Sequence, residues 1–62
     1  MAKHSEYIVE PRKGGKWAVR LPHAERASAV EYTQLAAIAR AKELAPEGDI
    51  KVKGFDGKFR KL

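Results

Sequence analysis

Two glycine-marked turns, Gly14-Gly15 and Asp56-Gly57, each lie between stretches in which apolar and charged residues alternate. Alternation of that kind marks a half-buried strand, and a glycine-rich break between two such runs marks a hairpin. The pattern reads as short strands around one helix. The stretch Lys16-Trp17-Ala18-Val19-Arg20-Leu21 puts Trp17, Val19 and Leu21 on one face, and Lys16, Ala18 and Arg20 on the other. Its partner, Glu6-Tyr7-Ile8-Val9-Glu10, is β-branched and aromatic, and Pro11 closes it because proline cannot donate within a central ladder. A two-residue turn would set Val9 opposite Arg20. A three-residue loop, Lys13-Gly14-Gly15, sets Val9 opposite Val19 and gives Gly15 the left-handed position of a bulged turn. A one-residue slip would turn every side chain to the other face, so the second register is expected.

Between the hairpins, Arg26 to Tyr32 alternates weakly, with Ser28, Val30 and Tyr32 sharing a face, and reads as a short third strand. Thr33 is a good N-cap for a helix over 34–45. Ala37, Ile38, Ala41, Leu44 and Ala45 form its apolar stripe, and Pro46 and Gly48 end it. In the last hairpin, Asp56-Gly57 predicts a two-residue type I′ turn. That turn sets Phe55 opposite Lys58, Lys53 opposite Arg60 and Val52 opposite Lys61, with Ile50, Val52 and Phe59 on the apolar side. The expected fold is a single α+β domain over residues 1–62: a small antiparallel sheet of β-β-β-α-β-β order packed on one helix.

The run Tyr7-Ile8-Val9-Glu10-Pro11-Arg12, the Gly-Gly turn before Trp17-Ala18-Val19, and Arg26-Ala27-Ser28 stand in a recognisable order. Thr33-Gln34, Ala37-Ile38-Ala39-Arg40-Ala41 and Asp56-Gly57-Lys58-Phe59-Arg60 continue it. Together they resemble a small bacterial and phage family catalogued as domain of unknown function 2188. The likeness spans nearly the whole chain. One departure is Lys16, which stands between the glycine pair and Trp17 where members usually run straight into the tryptophan. The family has no established activity, so the resemblance implies a fold and no function.

Composition narrows the functional classes. Ten of the 27 apolar residues are alanine, so the core of this 62-residue chain is thin. Small domains are commonly stapled by disulfides, metals or oligomerisation. Cysteine is absent, and His4 and His23 stand alone, which leaves a homodimer through sheet edges as the available staple. No cofactor and no metal are expected. No apolar run is long enough to span a membrane, and Met1 to Ser5 carries no signal-peptide segment, so the expected location is the cytoplasm. Ser5, Ser28 and Thr33 have no histidine partner in a nucleophilic arrangement. Glu47, Asp49 and Asp56 could serve a metal-dependent nuclease, but Asp56 is better explained by its turn, and a non-enzyme is expected.

Charge carries the functional signal. The net charge is +5, yet residues 12–20 alone hold +4 and residues 50–62 another +4. On the expected register Lys51, Lys53, Phe55, Lys58 and Arg60 share the outward face of the last hairpin. Four cations around an exposed aromatic suit a surface that tracks a phosphate backbone and stacks bases. Arg12, Lys13, Lys16 and Arg20 of the first hairpin extend the patch. The plain alternative is a solvated sheet face whose lysines guard an edge against aggregation. Trp17, Tyr7 and Tyr32 read as core, and Gly14-Gly15 lacks the flanking pattern of a phosphate loop. The expected function is nucleic-acid binding through the outer sheet face, with weak sequence preference. The rival is a protein-binding module, such as a phage- or mobile-element-encoded inhibitor of a host nucleic-acid enzyme, that offers the same cations to an acidic protein surface.

Overall fold

Five short strands and one helix account for the regular structure of the computed structural model, which describes residues 6–62. His4, Ser5 and the reading of Met1 to Ser5 lie outside the described residues. In chain order the elements are β1 (Glu6–Arg12), β2 (Lys16–Arg20), β3 (Ala29–Glu31), α1 (Gln34–Leu44), β4 (Asp49–Lys53) and β5 (Phe59–Lys61). A tight 3-10 turn over Lys13–Gly15 joins β1 to β2. Sheet order is β3-β2-β1-β4-β5. The α+β class and the element order match expectation. The sheet, however, is mixed: β1 and β4 run parallel, with Tyr7 beside Ile50 and Val9 beside Val52. The reason is the single helix, which carries the chain back across the sheet so that β4 re-enters in the direction of β1, as a crossover connection does.

The first hairpin takes the three-residue loop. Val9 pairs with Val19 and Arg12 with Lys16, and Gly14 and Gly15 take φ of 77° and 74°, a region that glycine enters without steric cost. The second hairpin departs from the expected register by one residue. Lys53 faces Phe59, Val52 faces Arg60 and Lys51 faces Lys61. A type I′ turn needs positive φ at both central residues, and only Gly57, at 84°, supplies it. Asp56 instead accepts the backbone N–H of Lys58 on Oδ1 at 3.0 Å. The N–H of Gly57 reaches the carbonyl of Gly54 at 3.0 Å, and that of Gly54 reaches Lys58 at 2.8 Å. The result is a three-residue loop, Phe55-Asp56-Gly57, with glycine at its left-handed position. The slip turns β5 over relative to β4.

One face of the sheet is closed by α1. Val9, Trp17, Val19, Ile50 and Val52 pack there against Ala37 and Ala41, with Tyr7, Ala29 and Ile38 at the margin. Ala37 and Ala41 are one helical turn apart and fully buried. Their small side chains let the helix backbone settle close over the valines, so alanine contributes proximity where it contributes little area. Thr33 caps the helix, accepting the N–H of Ala36 on its hydroxyl at 3.0 Å. Leu44, expected in the stripe, is the last helical residue and 44% exposed. No helix among the described residues is long and apolar enough to cross a membrane.

Candidate nucleic-acid interface

The face turned away from α1 carries the alternate residues of each strand. On β2 these are Lys16, Ala18 and Arg20, and on β1 they are Glu6, Ile8, Glu10 and Arg12. Lys51 and Lys53 follow on β4, then Phe59 and Lys61 on β5. Because β1 and β4 are neighbours, the two basic hairpins lie side by side. Because they are parallel, both hairpin loops emerge at the same end. Arg12, Lys13, Lys16, Lys53 and Lys58 gather there, against Asp56. Between the loops lies an open cleft of about 560 Å³, with Arg12 and Lys13 on one wall and Lys53 and the 54–57 loop on the other. The helix also opens at this end with no acid in its first turn, which adds the partial positive charge of its N-terminus. Glu43, Glu47 and Asp49 lie toward the opposite end.

Several expected contact residues are placed differently. Arg60 faces Val52 and so points to the helix side, away from Lys51 and Lys53. Phe55 leaves the outer face as well. It sits in the loop, 84% exposed, with its ring in a T-shaped contact with buried Trp17 at 5.4 Å between centroids. Both corrections follow from the one-residue slip. Lys58 stays at the loop, its carbonyl and N–H tied into the turn.

Arg20 is committed elsewhere. Its Nε and Nη2 donate to the two carboxylate oxygens of Glu10 at 3.0 and 3.3 Å. Its Nη1 donates to the carbonyls of Leu21, Pro22 and Ala24, each at 3.3 Å. The guanidinium therefore pins the turn after β2, a structural task that leaves no donor set for a phosphate. Glu10 is held below the ordinary carboxylate range, chiefly by the hydrogen bond from Arg20 and then by the nearby charges of Arg20, Arg12 and Lys53, against the opposing effect of burial. Arg20 is raised in turn by the bond to Glu10. Lys51 Nζ lies 2.8 Å from Glu6 Oε2, and that bond raises the lysine. The open face is thus zoned. Toward the Pro22 end Arg20 and Lys51 are paired, and Ile8 floors a small hollow lined also by Pro22, Phe59 and Lys61. Arg12, nearer the loops, lies 3.5 Å from Glu10. Toward the loops Lys13, Lys16, Lys53 and Lys58 make no ion pair with any described residue.

A family model described as an uncharacterized protein conserved in bacteria, DUF2188, matches residues 7–61. The chain belongs to that family. The DUF2188 match takes in the helix and all five strands except Glu6, including both basic loops. No curated protein and no solved structure matches the chain. The DUF2188 description names no activity, so the roles of residues at this interface rest on their geometry. Among the described residues no three His, Cys, Asp or Glu side chains gather as a metal site would require.

Sequence reasoning missed Tyr32, Phe59 and Lys61. Tyr32 is 76% exposed beside Lys16, whose Nζ stands 5.9 Å from the ring centroid. Phe59 is 52% exposed with Lys53 Nζ at the same 5.9 Å. The signal that would have found Phe59 was Gly57. The rule that placed a left-handed glycine at the end of the first loop, applied again, gives the observed second register.

Proposed function

We propose that this chain is a small cytoplasmic binding protein for nucleic acid, holding the phosphate backbone at the end of the sheet where both hairpin loops emerge and on the open face next to it. The observation that carries the reading is the parallel pairing of β1 with β4, which gathers Arg12, Lys13, Lys16, Lys53 and Lys58 at one end. Lysines that make no ion pair with any described residue, next to an uncovered sheet, attract a polyanion and release its counterions on binding. Nothing in this set forms the fixed forks that read base edges, so the reading is backbone contact with weak sequence preference. Lys51 and Arg20, tied to Glu6 and Glu10, contribute to the field more than to direct contact.

A mobility-shift panel of single- and double-stranded DNA and RNA at low salt tests it. Neutralising about four phosphates predicts a slope of roughly −3 to −4 in log affinity against log salt. A flat salt response, or no retardation of any probe at low salt, overturns the reading. Capture of a protein from lysate that survives nuclease treatment, with no nucleic acid bound, would transfer the basic end to an acidic protein partner.

A further inference from the structure

We infer that the open face takes single-stranded nucleic acid, with Tyr32 and Phe59 as stacking platforms for its bases. The inference rests on the backbone-binding reading above and adds the class of ligand. Both rings stand on the uncovered side of the sheet, 76% and 52% exposed, and neither belongs to the core beneath α1. Each is paired with a lysine from the neighbouring strand, Lys16 with Tyr32 and Lys53 with Phe59, at 5.9 Å in both cases. The same two-residue device therefore occurs twice. A base laid on the free side of either ring brings its phosphate within reach of that lysine, so stacking and charge act on one nucleotide.

The two devices lie at opposite margins of the face, on edge strands β3 and β5 or immediately after them. Four strand spacings separate them, roughly 19 Å. Between them lie Arg12, which is paired to Glu10, and the cleft that Lys13 shares with Glu10 and Asp56. A strand of a few nucleotides crossing the loop end of the sheet therefore meets an aromatic with its lysine at each margin and Arg12 and Lys13 in the middle. A duplex keeps its base faces stacked inside and offers these rings nothing, whereas an unpaired strand presents a π-face at every base. Stacking of this kind tolerates any sequence, in keeping with the lack of base-reading forks.

The test is fluorescence anisotropy at low salt with two probes, a labelled oligothymidylate and a mixed-sequence duplex of equal length. Tyr32→Leu and Phe59→Leu keep an apolar side chain at an exposed position, and their melting curves check the fold. Each is expected to weaken binding of the oligothymidylate by about five- to a hundredfold, the range for losing one stacked base. Duplex binding is expected to move less than twofold, and Tyr32→Phe is expected to retain the affinity for the single strand. Leu44→Ala, at the far end of the helix and away from both loops, is the control that leaves both probes unchanged. Equal losses for strand and duplex, or no loss for the strand, would overturn the stacking inference and leave backbone binding standing. Failure of the unaltered protein to bind either probe would remove the reading on which the inference rests.

Discussion

Lys53 stands directly opposite Phe59 across the β4–β5 pair, with its ammonium nitrogen 5.9 Å from the ring centroid. That relationship fixes which way β5 faces. It brings Phe59 and Lys61 to the open side of the sheet and sends Arg60 to the side of the helix. It also replaces a like-charge Lys53–Arg60 pair with an attraction between a cation and a ring, worth about 0.5–1 kcal/mol at an exposed site.

The aromatic residues should separate cleanly in thermal melts. Trp17 is almost fully buried at the centre of the core. Trp17→Ala should cost about 3–5 kcal/mol by leaving a cavity, enough to unfold a domain of this size. Phe59→Ala, at a half-exposed position, should cost roughly 1 kcal/mol and leave a cooperative transition. A larger loss for Phe59→Ala than for Trp17→Ala would place Phe59 in the core and reverse the register of the hairpin.

The second turn depends on Gly57, the residue there with a left-handed φ. Gly57→Ala forces an alanine into that region at a cost of about 1–2 kcal/mol. Gly57→Asn should lose less, because asparagine tolerates this conformation better than most residues. Equal melting temperatures for the alanine variant and the parent would contradict the three-residue loop.

The Glu10–Arg20 fork links stability to acid. Glu10 titrates below its ordinary 4.5 in the folded chain, so the folded state binds fewer protons than the unfolded one near that pH. Its stabilising contribution is complete above the ordinary value and is lost as pH falls through the lowered one. Melting temperature followed from neutral pH into this acid window should fall for the parent and fall less steeply for Glu10→Gln. At neutral pH Glu10→Gln should cost up to about 1.5–3 kcal/mol, the range for hydrogen bonds to charged groups.

Lys53 and Arg60 differ by seven positions and stand on opposite faces. Lys53→Ala should weaken nucleic-acid binding for every sequence alike and reduce the salt slope by roughly 0.7–0.9. Arg60→Ala should leave the slope nearly unchanged. Titrations at several salt concentrations read both, and a larger change for Arg60→Ala would move the interface to the helix side.

Local rules in the sequence determined every element of this fold. Alternation marked β1 and β2, Thr33 and the alanine spacing marked α1, and Gly14-Gly15 with the need to keep Val9 against Val19 set the first register. These are decisions between residues near in sequence, where turn chemistry and side-chain period act directly. The second register was open to the same logic, but Asp56-Gly57 also suits a two-residue turn. The choice fell to the Asp56 carboxylate, which satisfies the Lys58 N–H and leaves only Gly57 at positive φ. Only the tertiary structure decided that β4 enters beside β1 and parallel to it, because strand order depends on which edge buries Ile50 and Val52 beneath a helix that also covers Val9 and Val19. That long-range choice brought two basic hairpins, distant in the chain, to a common end, and it left Tyr32 and Phe59 at the two margins of one open face.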